Sequence, residues 1–541
     1  MRSWFLPLLI ALPCAAAAQP SPPSPPKLIV AISVDQLSSD VFDEYRPLLN
    51  GGFAKLGRGT VFPHGYQGHA ASETCPGHST ILSGSHPARN GIIANVWHDL
   101  TQSRSDKAVY CAEDERVAGT SSTAYTVSPW HLKVPTLGEY MKRQWPTSRT
   151  VGVAGKDRAV VMMTGQRPDQ RWYWNGKSFV TDLKGAATPQ SVVSARTAIA
   201  SLVAQPQAAL EPPALCAAKA GVVAVGGGGQ PVGAGRFERA AGDLALFRAS
   251  PAFDGATLAL AAGLVREMQL GKGAAPDLLA LGLSATDYVG HRYGTKGQEM
   301  CLQMLSLDRD LGDFLAFLDR EVGDYAVVLT ADHGGKDIPE RERAAGLAGA
   351  ARVDPSLASS NVGKALAVRF GLPGSLLYGS NFGDVYVDRA VAMGQSDRVL
   401  AAALATYRAH PQVEAVFTRE QLARTAMPTV APDKWSLIER ARASFDVKRS
   451  GDFVVLLKRD IMPIADTKGG YVATHGSVWD YDRRVPIIFW RPGYTPQSID
   501  LPVQTVDILP SLAAMLGLPI APGSIDGICL SQVPGAACPT P

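Results

Sequence analysis

The sequence lacks a strong charge of either sign and a long internal apolar run. Its 541 residues carry 52 Lys and Arg against 49 Asp and Glu, a formal net charge of +3, which argues against a nucleic-acid-binding protein. No stretch beyond the N-terminus approaches the roughly 18 uninterrupted apolar residues of a membrane-spanning helix. Hydrophobic residues make up 46% of the chain and charged residues 19%, a globular composition that excludes a disordered or fibrous protein.

The N-terminus is typical of a secretory signal peptide. Arg2 is followed by an apolar stretch at residues 4–12 and by four alanines at 15–18. This order of charged, apolar and small residues predicts a signal peptide over residues 1–18, cleaved after Ala18. Residues 19–26 (QPSPPSPP) then form a stiff proline-rich spacer. We therefore expect a periplasmic or secreted protein.

Cysteine is scarce, with seven in the whole chain. Removal of the leader removes Cys14 and leaves an even number, which is compatible with up to three disulfides in an exported protein. The sequence does not choose among the possible pairings. Cys529 and Cys538 are close enough in sequence to form a local C-terminal loop.

Apolar runs that alternate with helical patterns define the expected fold. The runs at 27–35, 277–283, 325–333 and 484–490 are typical of strands buried on both faces. Residues 300–318 and 508–516 show helical spacing, and Gly517 ends the second helix. We predict an α/β catalytic domain over residues 27–541, with a mostly parallel central sheet flanked by helices on both faces. Residues 160–250 differ in composition and are predicted to be an inserted cap.

Aspartate and histidine residues at predicted strand ends are the main functional signal. Ligands in α/β folds bind at the carboxyl ends of the strands, and three Asp and three His residues fall there or in nearby loops. Such mixed oxygen and imidazole ligands suit zinc, and six would supply two three-ligand sites. These residues are Asp35, Asp287, His291, Asp332, His333 and His475.

A hydroxyl group and two cations complete the candidate chemistry. In the segment 73–92, we expect Pro76 at the first helical position and Thr74 just before the helix. The Thr74 hydroxyl would then meet the positive end of the helix dipole and could act as a nucleophile beside a metal. Lys156 and Arg158 alternate, and if their segment is a strand, both side chains project from one face. Their burial beside an apolar run would call for an anionic partner.

These residues resemble the alkaline phosphatase superfamily, most closely its threonine-nucleophile (PafA-type) alkaline phosphatases. The resemblance covers nearly the whole mature chain, from VDQLSSD at 34–40 to IDG at 525–527. It implies two zinc ions, one held by Asp35, Asp332, His333 and Thr74 and the other by Asp287, His291 and His475. It also implies that Thr74 forms a phosphothreonine, while Asn95, Lys156 and Arg158 bind the phosphoryl oxygens.

Departures from related families narrow this interpretation. The sulfatase motif Cys-x-Pro-x-Arg is absent, which argues against a sulfatase. The superfamily's phosphodiesterases generally lack a pair like Lys156 and Arg158. The acidic third site that binds magnesium in other alkaline phosphatases is not evident. The expected substrates are therefore small-molecule phosphate monoesters, with no nucleic-acid partner, membrane span or protein partner evident. Three alternatives stay open: a phosphodiesterase or nucleotide pyrophosphatase on the same metals, a phosphonate or sulfate ester hydrolase, and a non-catalytic metal-stabilised binding protein.

Overall fold

The structure is a computed structural model, described over residues 24–539. The predicted signal peptide at 1–18 and the first part of the spacer lie outside the described residues. Within the described range, none of the helices combines the length and the apolarity needed to cross a membrane.

A nine-stranded sheet forms the centre of the molecule. Five adjacent strands in the middle of this sheet run parallel, and antiparallel strands flank them on both sides. In spatial order the strands are β17 (Gln497–Ser498), β2 (Thr60–Tyr66), β16 (Arg484–Trp490), β9 (Tyr325–Thr330), β1 (Leu28–Val34), β8 (Asp277–Leu283), β5 (Thr150–Ala154), β6 (Gln170–Trp174) and β7 (Phe179–Val180). The predicted mostly parallel sheet is confirmed, although β16 is antiparallel to both of its neighbours.

The central strands are buried on both faces. Alternate residues of β1 enter two different hydrophobic clusters, with Leu28, Val30 and Ile32 on one face and Ile29 and Ala31 on the other. This is why the strand reads as a continuous apolar run rather than an alternating one.

Nineteen α-helices are present in the described residues, and they cover both faces of the sheet. The α10–α12 layer packs on one face, and α5 and α19 pack on the other. The helices are α1 (Ser39–Tyr45), α2 (Gly52–Leu56), α3 (Thr74–Ile81), α4 (Pro87–Asn90), α5 (Leu137–Gln144), α6 (Asp157–Thr164), α7 (Gln190–Ala204), α8 (Ala214–Ala217), α9 (Leu244–Arg248), α10 (Pro251–Glu267), α11 (Ala285–Tyr293), α12 (Gln298–Glu321), α13 (Pro339–Ala344), α14 (Ser359–Phe370), α15 (Ser396–Ala409), α16 (Arg419–Arg424), α17 (Leu437–Ser444), α18 (Asp480–Arg483) and α19 (Ile508–Leu516).

A second, four-stranded antiparallel sheet has its own hydrophobic cluster. Its spatial order is β11 (Leu377–Gly379), β12 (Gly383–Val387), β14 (Phe453–Leu457) and β13 (Val413–Thr418), and two small pairs join β3 (Val96–His98) to β4 (Ala108–Tyr110) and β10 (Ala351–Arg352) to β15 (Ile461–Met462). The segment 160–250, predicted to be a cap, contributes β6 and β7 to the edge of the central sheet. Its aromatic residues Trp172, Tyr173 and Trp174 are buried.

Three disulfides connect the six cysteines of the described residues. They join Cys75 to Cys111, Cys216 to Cys301, and Cys529 to Cys538. The last pair closes the short C-terminal loop that the sequence suggested. The first lies next to Thr74, and the second ties α8 to α12.

Candidate active site

Three buried aspartates meet at one edge of the central sheet. Asp35 follows β1, Asp332 lies two residues after the end of β9, and Asp287 lies in the first turn of α11, just after β8. Because β9, β1 and β8 are parallel neighbours, their carboxyl ends coincide and bring the three side chains together. Parallel pairing thus brings Asp35 next to Asp287 and Asp332, which follow it by 252 and 297 positions in the sequence, and forms one acidic centre.

The first ligand cluster contains Asp35, Asp332 and His333. The His333 Nε2 atom lies 3.2 Å from Asp332 Oδ2 and 3.5 Å from Asp35 Oδ1. The other ring nitrogen, Nδ1, lies 2.8 Å from the Gly334 carbonyl oxygen. A hydrogen bond from Nδ1 to that carbonyl leaves Nε2 free to face the two carboxylates, as a metal ligand would.

The second ligand cluster contains Asp287, His291 and His475. Asp287 Oδ1 lies 3.2 Å from His291 Nε2 and 3.5 Å from His475 Nε2. In each imidazole the ring nitrogen that faces away from Asp287 contacts a backbone carbonyl. His291 Nδ1 lies 2.8 Å from Ala473 O, and His475 Nδ1 lies 2.8 Å from Ser72 O. The helical spacing of Asp287 and His291 places both side chains on one face of α11.

The donor sets fit divalent metal ions. In each of three overlapping groups, the donor atoms lie within 4.8 Å of one another. One group is Asp287, His291 and His475, and the others share Asp35, which pairs either with Asp287 and His333 or with His78 and Asp332. Asp332 Oδ2 and His333 Nε2 are buried without a hydrogen bond of good geometry in the part of the chain described. Buried carboxylates in this state call for a cation.

His78 extends the first cluster toward the helix that carries Thr74. Its Nδ1 atom lies 3.0 Å from Asp332 Oδ2 and 2.9 Å from the Thr74 carbonyl oxygen. The nearby His64 lies instead between two carboxylates near the surface, at 2.9 Å from both Asp43 and Asp500. Sequence spacing alone does not separate these two histidines, since their distance from the strand ends depends on the fold.

Gln36 links the two clusters and was missed by sequence reasoning. Its backbone N–H donates to Asp332 Oδ1 at 3.1 Å, and its side-chain amide donates to Asp287 Oδ1 at 3.0 Å. The residue has φ of 68°, a left-handed conformation that is uncommon outside glycine. A glutamine directly after Asp35 gave no recognisable signal, because its two partners lie far away in sequence.

Lys156 lies between the clusters. Its ammonium group is 2.7 Å from Asp35 Oδ2 and 2.5 Å from Asp287 Oδ2. Burial alone would lower the pKa of Lys156, but the carboxylates of Asp287 and Asp35 raise it, so the group stays cationic. Burial and the neighbouring Asp332 raise the pKa of Asp35 to about 6, although Lys156 opposes this shift.

The segment with Lys156 and Arg158 is a strand-to-helix turn, so the prediction of a strand is wrong there. Strand β5 ends at Ala154, Lys156 is the N-cap of α6, and Arg158 lies in the first turn of that helix. Gly155, which lies against Ser284 and Phe253, occupies the turn between them. Lys156 still reaches the acidic centre and Arg158 reaches Thr74, because α6 begins at the same sheet edge as the ligand clusters.

Thr74 is the first residue of α3, two residues before the predicted helix start. The extended Glu73 is the N-cap, and Pro76 lies inside the first turn. Proline is tolerated there because the first N–H groups of a helix have no intrahelical acceptor. The buried Thr74 hydroxyl therefore lies at the positive end of the helix dipole, 3.4 Å from Arg158 Nη2.

Asn95 is held on the same side of the site by two neighbours of Thr74. Its side-chain oxygen accepts a hydrogen bond from the Cys75 N–H at 2.8 Å, and its own backbone N–H donates to Glu73 Oε2 at 2.5 Å. This arrangement uses the amide oxygen of Asn95 and leaves its amide nitrogen available as a donor.

Arg158 is backed by tyrosine and aspartate residues that the sequence did not indicate. Its Nη1 group lies 3.5 Å from the Tyr110 hydroxyl. The hydroxyls of Tyr110 and Tyr125 donate to the two oxygens of Asp157 at 2.7 and 2.8 Å. The Arg158 guanidinium thus contacts a tyrosine that is itself hydrogen-bonded to Asp157, the preceding residue on the same helix.

Buried acidic and imidazole clusters at the carboxyl edge of a parallel sheet, with a hydroxyl and two cations beside them, define a phosphoester hydrolase on a metal site. The sequence profile of the type I phosphodiesterase/nucleotide pyrophosphatase family matches residues 29–478. The chain belongs to this family, which lies within the alkaline phosphatase superfamily.

Known relatives agree with this assignment. Alkaline phosphatase PhoK of Sphingomonas sp is 51% identical over 95% of this chain and 92% of its own length. Alkaline phosphatase PhoD of Zymomonas mobilis is 47% identical over 96% of this chain and 90% of its own length. The crystal structure of alkaline phosphatase PafA superposes with a TM-score of 0.81 at 26% identity, covering 95% of this chain and 99% of that one. The predicted superfamily, fold class and phosphoester hydrolase class are confirmed.

Proposed function

We propose that the protein is an exported two-zinc phosphatase that hydrolyses phosphate monoesters through a phosphothreonine at Thr74. The observation that carries this proposal is the position of the Thr74 hydroxyl, at a helix N-terminus and 3.4 Å from the half-buried Arg158. His78 connects this helix to the first ligand cluster through its contact with Asp332. The alkaline phosphatase names of the relatives at 51% and 47% identity support the choice of monoesters.

Six side chains and the nucleophile would hold the metals. Asp35, Asp332 and His333, with the Thr74 hydroxyl, form one site, and Asp287, His291 and His475 form the other. Mixed carboxylate and imidazole ligands suit zinc. When bound, such ions supply Lewis acidity, which lowers the pKa of hydroxyl groups and stabilises a departing oxygen.

The protein's own groups position and neutralise the phosphoryl group. Thr74 Oγ1 attacks phosphorus in line, so that a bond to threonine forms while the bond to the alcohol oxygen breaks. Arg158 and Lys156 attract the anionic oxygens, and the free amide of Asn95 donates to one of them. Water then attacks the phosphothreonine, releases phosphate and regenerates the hydroxyl. Little proton transfer by side chains is needed, because phosphoryl transfer depends mainly on positioning and charge stabilisation.

A phosphodiesterase is the second candidate, favoured by the family description itself. Lys156 and Arg158 argue for monoesters, because a monoester dianion offers a charged oxygen where a diester has a neutral alkoxy group. Two fixed cations at the site therefore stabilise a bound monoester dianion more than a bound diester monoanion.

Initial rates with added zinc at alkaline pH test the proposal. We expect phenyl phosphate to be hydrolysed much faster than bis(4-nitrophenyl) phosphate in spite of its poorer leaving group. A diester excess would contradict the monoesterase proposal while leaving the metal site intact. The nucleophile is tested separately: after acid quenching of a reaction with ³²P-labelled substrate, the label should be on Thr74 in the wild type and absent from Thr74→Ala.

Export rests on the predicted signal peptide at 1–18 and is supported by the three disulfides, which persist in oxidising compartments. Expression of the full chain in a bacterial host should give a periplasmic or secreted product that begins at Gln19. A product retained in the cytoplasm with residues 1–18 intact would contradict this part of the proposal.

A further inference from the structure

A cavity of about 290 Å³ lies beside the active site, under the four-stranded sheet. Its rim includes Glu73, which precedes the nucleophile, and Gly476, which follows the proposed metal ligand His475. Asn95 also lines it. The cavity therefore adjoins the site at Asn95 and at the chain neighbours of Thr74 and His475.

The inner wall of this cavity is apolar. It is formed by side chains that belong to one hydrophobic cluster, Leu422, Phe445, Val454, Leu456 and Val478. The lining also includes the aromatic rings of Phe382 and Tyr386 and the carboxylates of Glu73 and Asp384. Among the described residues that line the cavity, Lys458 is the one lysine or arginine, and His98 lines it as well.

We propose that this cavity receives the alcohol portion of the substrate and favours apolar or aromatic alcohols without anionic groups. Burial of an apolar alcohol against apolar side chains is favourable, whereas the carboxylates of Glu73 and Asp384 would repel a second phosphate or a carboxylate. This inference rests on the proposed phosphatase function and adds the class of alcohol to it.

A matched pair of esters tests the cavity. Phenyl phosphate and 4-tert-butylphenyl phosphate have leaving groups of similar reactivity, so the ratio of their kcat/KM values reports binding of the added apolar group. We expect the larger ester to be favoured at least about tenfold. A ratio near one, with phenyl phosphate still hydrolysed, would overturn the cavity proposal, whereas no hydrolysis of either ester would overturn the proposed function.

A filling variant tests the location. Ala441 is buried in α17 and lines the cavity, so Ala441→Leu should lower kcat/KM for 4-tert-butylphenyl phosphate more than for phenyl phosphate and bring the ratio toward one. The control Ala401→Leu adds the same atoms at an exposed position on α15. An unchanged ratio in a folded Ala441→Leu protein would overturn the assignment. Leu456→Ala, which enlarges the cavity, provides a second variant, and there the ratio should also change.

A different observation concerns the disulfide next to the nucleophile. Cys75 and Cys111 are both fully buried, and each donates its backbone N–H to Asn95. Cys75 N–H reaches the side-chain oxygen at 2.8 Å, and Cys111 N–H reaches the backbone carbonyl at 3.0 Å. The disulfide thus joins the two residues that hold Asn95.

We infer that the Cys75–Cys111 disulfide positions Asn95 for contact with the phosphoryl group. It fixes the start of α3, which carries Thr74, to the residue that follows β4. Without it, the hydrogen bonds to Asn95 come from two segments that can separate. The inference uses the role given to Asn95 in the proposed function.

A double-mutant cycle separates positioning from general stabilisation. Cys75→Ala with Cys111→Ala should lower kcat/KM for phenyl phosphate at least about fivefold in the wild-type background and less than about twofold in Asn95→Ala, as contacting residues couple. Assays are run below the melting temperature of every variant. Removal of the remote Cys529–Cys538 disulfide is the control and should leave kcat/KM unchanged.

Equal losses in both backgrounds, or no loss in the wild type, would overturn the positioning role. If Asn95→Ala itself leaves kcat/KM unchanged, the role of Asn95 in the proposed function is wrong, and the inference falls with it. The Cys75→Ser, Cys111→Ser pair gives the same cycle with side chains of nearly unchanged size if the alanine pair does not fold.

Discussion

At the scale of single residues, the site depends on buried carboxylates whose negative charges are balanced by neighbouring cationic side chains. Lys156 contacts both Asp35 and Asp287. Burial alone would raise the pKa of Asp287, but His291 and Lys156 hold it well below its ordinary value. Asp287 therefore stays anionic and can bind a cation, as a metal site that acts on phosphate esters requires.

Removing both cations proposed to bind the phosphoryl group should separate monoesterase from diesterase activity. For Lys156→Ala with Arg158→Ala, we expect kcat/KM for phenyl phosphate to fall about a thousandfold or more, because the charged oxygens lose their fixed partners. The rate with bis(4-nitrophenyl) phosphate should fall much less. Steady-state kinetics on both esters measure the difference.

The surface variant Arg309→Ala, whose side chain is 67% exposed on α12, is the control for loss of one positive charge. Arg158→Ala alone shows whether the effect persists when the contacts of Lys156 with the carboxylates are kept. Equal losses for monoester and diester would show that the pair does not distinguish the two substrates.

At the scale of elements, helix α3 is placed by direct contact with the end of β9. A Cβ atom at Gly77 would lie 1.9 Å from the Asp332 backbone oxygen. The helix that begins with the nucleophile thus rests against the loop that carries two proposed ligands. The close approach requires glycine because any side chain would separate the two segments.

Gly77→Ala should shift α3 away from Asp332. We expect a loss of about 1–3 kcal/mol in the free energy of unfolding, together with a fall in kcat, because Thr74 moves with the helix. Gly221→Ala is the control, since an added Cβ there meets no atom within 4 Å. Chemical denaturation and steady-state rates test this, and wild-type values for both would show that the contact does not place the helix.

The start of α19 carries a pH-sensitive contact away from the active site. The buried Asp507 carboxylate accepts hydrogen bonds from Ile528 N and Gln504 N, each at 2.8 Å, and burial raises its pKa from 3.8 to about 7. A raised pKa means that the folded state binds the proton more tightly than the unfolded state. The stabilisation is complete below about pH 4 and is lost as the pH rises through about 7.

Asp507→Asn should reduce the decline in stability over this range. We expect the free energy of unfolding of the wild type to fall more steeply between pH 4 and 7 than that of the variant, because the variant has no proton to release at this position. The pKa values of Asp254 and Asp482 are also raised, so the free energy of unfolding of the variant should still fall to some extent with rising pH. Denaturation at several pH values, with the exposed Asp466→Asn as control, tests this, and parallel curves would contradict it.

At the scale of the whole molecule, the proposed ligands come from distant parts of the chain. Asp35 follows the first strand, Asp287 and Asp332 follow β8 and β9, and His475 lies shortly before β16. Bound metal would therefore connect segments from both ends of the described chain. Stability and activity should depend on the same ions.

Chelation should lower both properties together. We expect EDTA to abolish phenyl phosphate hydrolysis and to lower the melting temperature by several degrees, and zinc to restore both. The matched variant Asp287→Asn with His291→Ala should show a smaller zinc-dependent shift, because one ligand cluster is lost. A melting temperature insensitive to both EDTA and zinc would contradict a metal site formed by these residues.

The sequence alone was sufficient for the central strands and the residues at their ends. The runs at 277–283 and 484–490 coincide with β8 and β16, and α19 ends at Gly517 as predicted. These features are local, since an apolar run buried on both faces and a terminating glycine can be recognised within a few residues. The positions of Asp35, Asp287 and Asp332 followed from the same strands.

Only the tertiary structure decided which groups meet. The bridge formed by Gln36, the start of α3 at Thr74, the turn that carries Lys156 and the pairing of Cys75 with Cys111 all depend on contacts between separate segments. Sequence patterns report the local preferences of the backbone and the burial of side chains, but they do not encode a distance between segments. That distance is fixed when the parallel strands pair and bring their carboxyl ends to one edge of the sheet.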